Sequence, residues 1–150
     1  MKINLGCGIK KKIGFINIDI NPKYDPDLLC DGLCLPYDDS SVDCVRAFDF
    51  LEHVANDKRM DIIEEIYRVL KPGGKFEHYT PSTAGTGAFS DPTHLSFWNM
   101  QSWLYYCDEL GGIMRKIYET KASFKVEHLQ DYDSGNGVIH THGVMYAVKD

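Results

Sequence analysis

The sequence predicts an α/β fold with a mostly parallel sheet that ends in an antiparallel hairpin. Two short apolar runs joined by a glycine turn, Lys2-Ile3-Asn4-Leu5 and Phe15-Ile16-Asn17-Ile18, are typical of neighbouring strands. A helical pattern between two further strand patterns indicates a parallel β-α-β unit. The last two strand patterns, 123–132 and 137–148, flank Asp133-Ser134-Gly135-Asn136, a turn signal that predicts a hairpin.

Length and composition favour a single domain over residues 1–150. Hydrophobic residues make up 43% of the chain and charged residues 25%, as in ordinary globular proteins, and this length can bury one core. No apolar run comes near the roughly eighteen residues of a membrane span. Lys10-Lys11-Lys12 precedes a strand pattern instead of the apolar centre of a signal peptide. We therefore expect a cytoplasmic protein with no membrane partner.

The net charge indicates which class of partner is expected. A formal net charge of −6 disfavours binding to nucleic acid, because such binding depends on Lys and Arg neutralising phosphates. A small molecule is the expected partner.

The cysteines are odd in number and lie mostly in apolar runs, so we expect reduced core residues. They are Cys7, Cys30, Cys34, Cys44 and Cys107.

No metal site is predicted from the sequence. Cys30 and Cys34 resemble half of a zinc site, but no second pair of cysteines follows. His140 and His142 share one face of the last strand, and pairing across the hairpin brings His128 near them. Three histidines can bind a metal, yet no carboxylate or thiolate stands at ligand spacing, so a half-buried strand face is expected.

The glycine turn between the first two strands is typical of nucleoside binding. Gly6 and Gly8 let backbone atoms approach a ligand closely because no Cβ intervenes. Asp19, at the end of the next strand, can accept both ribose hydroxyls. The crossover 6–15 is short, and Lys11 takes the place of the third glycine of a dinucleotide fingerprint. S-adenosylmethionine, which has no pyrophosphate, suits this turn better than NAD does.

The middle of the chain supplies two strands, one clear helix and a further strand. Residues 27–30 are predicted to form a very short third strand. No helix fits between it and the second strand, so this edge of the sheet is expected to be reduced. Residues 42–48 form a fourth strand, rich in β-branched and apolar residues. Asn56 is the expected N-cap of an amphipathic helix that stops at Lys71-Pro72-Gly73-Gly74. Residues 75–80 then form a fifth strand.

A long loop and a second helix precede the hairpin. Residues 81–98 are rich in Gly, Ser, Thr and Pro, and a loop of this length usually serves as a lid or a binding loop. An apolar face predicts a helix over 99–110 that ends at Gly111-Gly112. Tyr105 and Tyr106 do not lie on this apolar face. Each could instead line a substrate site or take part in a dimer contact.

The ordered motifs of the chain resemble those of class I S-adenosylmethionine-dependent methyltransferases, and of the methyltransferase type 11 group in particular. The resemblance covers about residues 2–110. It rests on Leu5-Gly6-Cys7-Gly8, Asp19, Asp31 ahead of Leu35-Pro36-Tyr37, Val42-Asp43-Cys44-Val45, Leu51-Glu52-His53-Val54 and Leu70-Lys71-Pro72-Gly73-Gly74. It implies a Rossmann-like three-layer sandwich in which the first helices are reduced.

The resemblance also implies S-adenosylmethionine as the cofactor and assigns residues to its parts. The turn 6–8 would wrap the methionine part, Asp19 would bind the ribose, and Asp31 with Gly32 would lie against the adenine. Asp49, next to Phe48, would line the methionine and substrate side. The implied cofactor-binding set is Gly6, Cys7, Gly8, Asp19, Ile20, Asp31, Gly32 and Phe48.

Methyl transfer to a small molecule is the expected function. A sulfonium methyl is already activated, so the enzyme mainly aligns the acceptor and excludes water, and an alcohol or amine acceptor also calls for a general base. His94 is the first candidate base, within a segment 91–94 that resembles one in many of these methyltransferases, and Asp49 and His53 follow. Structural roles stay open, because His94 can bond backbone and Glu52 and His53 can hold the strand-to-helix turn.

Two other functions stay open from the sequence. A binding module could keep the fold without catalysis, and the shortened first crossover favours that alternative. An NAD-dependent oxidoreductase is disfavoured by the thirteen positions from Gly6 to Asp19 and by the terminal hairpin. The sequence predicts neither the acceptor nor the oligomeric state, and a homodimer is among the alternatives.

Overall fold

The computed structural model describes the backbone of residues 1–150 and the side chains of residues 1–107, 112–113 and 115–150. Seven strands form one sheet in the order β3-β2-β1-β4-β5-β7-β6. Neighbouring strands from β3 to β5 are parallel, whereas β7 runs antiparallel to β5 and β6. The strands are β1 (Lys2–Leu5), β2 (Ile16–Asp19), β3 (Leu28–Leu29), β4 (Val42–Phe48), β5 (Leu70–Pro81), β6 (Phe124–Asp133) and β7 (Ile139–Ala147).

The predicted fold class is confirmed. The sheet is mostly parallel and ends in the antiparallel β6–β7 hairpin, and residues 6–15 cross from β1 to β2 through turns without a helix. The helices of the described backbone are α1 (Arg59–Val69), α2 (Gly87–Ser90), α3 (Met100–Leu104) and α4 (Asp108–Tyr118). None of the helices in the described part of the chain is long and apolar enough to cross a membrane.

Two helix predictions are wrong in their boundaries. Asn56 is not the N-cap of α1, because it opens a separate three-residue 3-10 turn that ends before Arg59. The helix predicted over 99–110 ends at Leu104, and α4 runs through Gly111-Gly112 to Tyr118. The chain is extended at Cys107, which forms a bridge with Phe124 and interrupts the helix. Leu110, the last residue of the predicted helix, lies outside the described side chains.

One face of the sheet carries the core. Ile3, Val45 and Phe76 lie in register on β1, β4 and β5, are fully buried, and pack with the apolar side of α1. Because side chains alternate along a strand, residues such as Arg46 and Glu77 point to the other face and stay half-buried. Helix α1 contributes Ile62, Ile63, Ile66 and Val69 to the core.

The cysteines and the two tyrosines of the predicted second helix divide between core and surface. None of the five cysteines, all of which have described side chains, forms a disulfide. Cys7, Cys44 and Cys107 are buried as expected, but Cys30 is half-buried and Cys34 is exposed. Tyr106 belongs to the core and Tyr105 stays exposed, and both line one cavity of about 370 Å³.

A buried histidine predicts acid sensitivity of the fold. His78 is 0% exposed and its ring stacks on Trp103 at 3.6 Å between centroids. Burial lowers the pKa of His78 well below 6.5. Below about pH 6.5 the histidine therefore binds a proton in the unfolded chain but not in the folded chain. This difference leaves the free energy of unfolding unaffected above that pH and lowers it as the pH falls, by up to about 1.4 kcal/mol per pH unit.

We expect His78→Leu to reduce the decrease in the free energy of unfolding between about pH 6.5 and pH 4.5. Urea unfolding of both proteins at several pH values from 7.5 to about 4.5 measures the free energy of unfolding, and the difference between them cancels the other titrating groups. Parallel curves for the two proteins would contradict the assignment of this proton to His78.

Candidate active site

The turn after β1 requires glycine at two positions. Gly6 has a φ of +64° and Gly8 a φ of +48°, in the left-handed region that other residues rarely adopt. A Cβ on Gly6 would lie 2.7 Å from Cβ of Phe50 and closer still to the Phe50 ring. The backbone N–H of Cys7 donates to the carbonyl of Ile18 at 3.0 Å and holds the turn against β2. Phe50 therefore packs directly on the backbone of Gly6.

Asp19 joins this turn to the end of β2. Its Oδ2 accepts from the backbone N–H of Gly8 at 2.9 Å, and its Oδ1 accepts from the backbone N–H of Asn21 at 2.9 Å. Each carboxylate oxygen keeps acceptor capacity for a further donor. Gly8 and Asp19, which the sequence analysis assigns to one nucleoside, thus share a direct hydrogen bond.

A cavity of about 630 Å³ opens beside the Gly8–Asp19 pair. This volume lies within the range of small-molecule and cofactor sites. Six residues assigned to the cofactor from the sequence line it: Gly6, Gly8, Asp19, Ile20, Asp31 and Gly32. Asp31 is fixed at its edge, because Oδ1 accepts from the backbone N–H of Leu33 at 2.9 Å. We call this cavity the nucleoside crevice.

A second cavity of about 600 Å³ adjoins the nucleoside crevice. Asp49 and His53 line both cavities. The remaining polar residues of the second cavity, which we call the acid–imidazole pocket, are Glu52, Ser90, Asp91, His94 and His140. The three catalytic candidates from the sequence, Asp49, His53 and His94, therefore meet in one pocket.

Asp49 is held between two basic groups. Its Oδ1 lies 3.1 Å from Nε2 of His140, and its Oδ2 accepts from Nζ of Lys10 at 3.3 Å. Burial acts to raise the pKa of Asp49, but the hydrogen bonds and charges of His140 and Lys10 outweigh it and lower that pKa. Asp49 is therefore ionised at neutral pH, at the boundary between the two cavities.

Glu52 differs from Asp49 in its environment. It is 2% exposed, and burial raises its pKa to about 8. Its backbone carbonyl accepts from the N–H groups of Leu95 and Ser96 at 2.7 and 3.1 Å, which latches the end of β4 to the long loop. This latch places Glu52 and His53 beside His94.

Both imidazoles of the pocket are oriented by backbone carbonyls. Nδ1 of His94 lies 2.8 Å from the carbonyl of Ala88, and Nδ1 of His53 lies 3.1 Å from the carbonyl of Thr93. A carbonyl only accepts, so Nδ1 donates in each ring and the neutral imidazole keeps an acceptor at Nε2. The two rings meet edge to face with centroids 5.3 Å apart.

Solved structures share this fold. A Methanosarcina mazei S-adenosylmethionine-dependent methyltransferase has a TM-score of 0.70 at 17% identity, with 99% of this chain and 92% of that chain covered. The SpnF cyclase has a TM-score of 0.69 at 16% identity, with 99% and 75% covered. The Burkholderia thailandensis 1,6-didemethyltoxoflavin-N1-methyltransferase has a TM-score of 0.62 at 13% identity, with 99% and 71% covered; it holds 1,6-didemethyltoxoflavin and S-adenosylhomocysteine.

The sequence adds a family match to this likeness of fold. The family model described as "Methyltransferase domain" matches residues 15–77, from β2 into β5. Residues 15–77 therefore match a methyltransferase family, and the whole chain shares the fold of solved S-adenosylmethionine-dependent methyltransferases. A search of the curated proteins gives no match.

Two residues that the sequence assigns to the cofactor lie outside the nucleoside crevice. Cys7 is buried, and Phe48 points to the half-buried face of the sheet, where the guanidinium of Arg46 lies 3.6 Å from the centre of its ring. Phe48 takes this side because side chains alternate along β4. The wall expected from Phe48 is formed instead by Phe50, which the sequence analysis missed.

The histidines of the β6–β7 hairpin contact separate partners. His140 pairs with Asp49, and Nε2 of His142 lies 3.2 Å from Oε1 of Glu77. His128 lies near Tyr132, with Nε2 3.1 Å from its hydroxyl. Pairing across the hairpin brings the rings of His128 and His142 to 5.0 Å between centroids, as expected from the sequence.

Proposed function

We propose that the domain transfers a methyl group from S-adenosylmethionine to a hydroxyl or amino group of a small molecule held in the acid–imidazole pocket. The observation that carries this proposal is that Asp49 and His53 line both cavities. A donor in the nucleoside crevice and an acceptor in the pocket would then meet at these two residues, and proximity of this kind contributes roughly 7–11 kcal/mol to catalysis.

The residues of the nucleoside crevice fit the cofactor. The turn at Gly6 and Gly8 carries no Cβ, so its backbone can approach the methionine part closely. The free lone pairs of Asp19 would accept from the two ribose hydroxyls. Asp31 and Gly32, on the far side, would lie against the adenine. We assign cofactor binding to these residues.

The pocket residues supply orientation and a place for the acceptor proton. When bound, S-adenosylmethionine supplies an activated methyl carbon, to which the acceptor lone pair bonds as the carbon–sulfur bond breaks toward sulfur. Asp49 places a negative charge beside a cationic donor. His53 and His94 each keep Nε2 as an acceptor, so either imidazole can take the proton that the acceptor loses.

The small-molecule acceptor is supported by charge and by one relative. A net charge of −6 disfavours a nucleic-acid acceptor. The Burkholderia thailandensis structure of the same fold holds a small heterocycle together with S-adenosylhomocysteine. A carboxylate-rich and imidazole-rich pocket of about 600 Å³ suits a polar molecule of that size.

Calorimetric titration with S-adenosylmethionine and with NAD separates this proposal from the alternatives. Heat with S-adenosylmethionine alone is the expected result, followed by transfer of a labelled methyl group to a member of a panel of alcohols and amines. Heat with neither ligand would support a binding module without donor affinity. Heat with NAD alone would support an oxidoreductase.

Replacing Asp19 with Asn is expected to weaken S-adenosylmethionine binding at least tenfold, or about 1.4 kcal/mol. The amide keeps only one oxygen acceptor, and in either orientation its NH₂ group faces a backbone N–H, that of Gly8 or that of Asn21. Asp25→Asn is the matched control, because it removes the same charge from an acid that is 99% exposed and paired only with Lys11 among the described side chains. Equal dissociation constants for the two variants would show that the ribose lies elsewhere.

A further inference from the structure

We propose that Glu52, His53 and His94 bind a divalent transition-metal ion, zinc or a close chemical relative, in the wall of the acid–imidazole pocket. The three residues come from two distant segments of the chain, the end of β4 and the long loop before α3. No metal site is predicted from the sequence, where the hairpin histidines and two cysteines are the candidates considered. The folded chain brings this different set together.

The distances suit a shared ion. One ligand atom from each of Glu52, His53 and His94 lies within 4.8 Å of the other two. Donor atoms bound to one zinc ion at about 2.0–2.2 Å stand roughly 3–4 Å apart. Nε2 of His53 is already 3.8 Å from Oε1 of Glu52.

The tautomers of both histidines suit a metal ligand. Metal-binding imidazoles usually donate their other ring N–H to a carbonyl or a carboxylate, which fixes the ring and the tautomer. His94 does this at Ala88, and His53 does it at Thr93. The His94 side chain is only 8% exposed, so its ring has little freedom to turn away.

Glu52 gives the second, independent observation. Its Oε2 is buried and makes no hydrogen bond to any described residue. A buried carboxyl oxygen without a partner is costly, because it has lost its hydrogen bonds to water and needs a donor or a cation in exchange. No lysine or arginine pairs with Glu52 among the described side chains, and a bound cation would supply the missing partner.

The donor set selects the class of ion. Two imidazole nitrogens and one carboxylate oxygen suit zinc and neighbouring first-row ions, whereas calcium and magnesium prefer oxygen ligands alone. Three protein ligands leave at least one coordination position open. Oδ2 of Asp91, 3.7 Å from Nε2 of His94, borders the same space and is a fourth donor within reach.

The role of the ion rests on the proposed function. An open coordination position in the acid–imidazole pocket would hold the acceptor oxygen and lower the pKa of its hydroxyl. The hydroxyl proton would then leave to solvent before methyl transfer. With the ion bound, both Nε2 atoms would be its ligands, so the ion would take over the part in proton removal that the proposed function gives to His53 and His94 in the metal-free chain.

Cobalt(II) titration of the chelator-treated full chain tests the site, because cobalt occupies zinc-type sites and absorbs visible light when bound. We expect saturable one-to-one binding that weakens at least a hundredfold in Glu52→Gln and in His94→Ala. His128→Ala is the control for adventitious histidine binding and is expected to bind cobalt like the unaltered chain. Thermal unfolding of each variant checks that it folds.

Absence of one-to-one cobalt binding would overturn the proposal, and so would a Glu52→Gln chain that binds cobalt as tightly as the unaltered chain. Titration of the same samples with S-adenosylmethionine keeps the two proposals apart. Glu52 does not line the nucleoside crevice, so Glu52→Gln is expected to keep its donor affinity. Cobalt binding without donor binding would contradict the proposed function alone.

Discussion

Replacing Gly6 with alanine is expected to weaken S-adenosylmethionine binding at least a hundredfold and to lower the free energy of unfolding by about 3 kcal/mol. Alanine at a φ of +64° costs backbone energy. Its Cβ also overlaps the Phe50 ring, which must move. Because Phe50 is a wall of the nucleoside crevice, that movement closes space for the ligand.

Gly14→Ala is the matched control for this prediction. Gly14 lies in the same crossover with a φ of +82°, but a Cβ there meets nothing within 4 Å, and Gly14 does not line the crevice. It should lose about 1 kcal/mol of stability from backbone strain alone and keep its donor affinity. Urea unfolding and calorimetric titration measure both quantities. If the two variants behaved alike, Phe50 would have no part in the site.

The sheet could be predicted from the sequence because its signals are local. The alternation in residues 42–48 and the hairpin turn at 133–136 each depend on a few neighbouring residues. The break between α3 and α4 could not be predicted in this way. It depends on the bridge of Cys107 with Phe124, a contact between residues that are not neighbours in sequence.

The same division between local and distant contacts applies to the candidate site. The pairing of Gly8 with Asp19 follows from the spacing of a turn and the next strand end, and the structure places them together. Phe50 was missed because Asp49 adopts a φ of +50°, which breaks the strand alternation and turns the next side chain toward the crevice. The meeting of His53 with His94 depends on the latch between Glu52 and the long loop, which no local pattern shows.

Gly143→Ala is expected to lower the free energy of unfolding by about 3 kcal/mol. Gly143 on β7 lies opposite His78 on β5, and a Cβ there would overlap Nε2 of the His78 ring. The ring cannot move aside freely, because it is fully buried and stacked on Trp103. Interiors packed this closely respond to an added methyl group with strain in several side chains. Urea unfolding at pH 7.5 measures the loss.

A double-mutant cycle shows whether that loss comes from the His78 contact. His78→Ala alone should destabilise the domain, because it leaves a cavity beside Trp103. In the His78→Ala background the added methyl group of Gly143→Ala enters this cavity, so the second change should cost almost nothing. The two changes are therefore expected to be strongly non-additive, with a coupling energy of about 3 kcal/mol. Additive losses would mean that glycine is required at this position by the β5–β7 backbone and not by the histidine that lies against it.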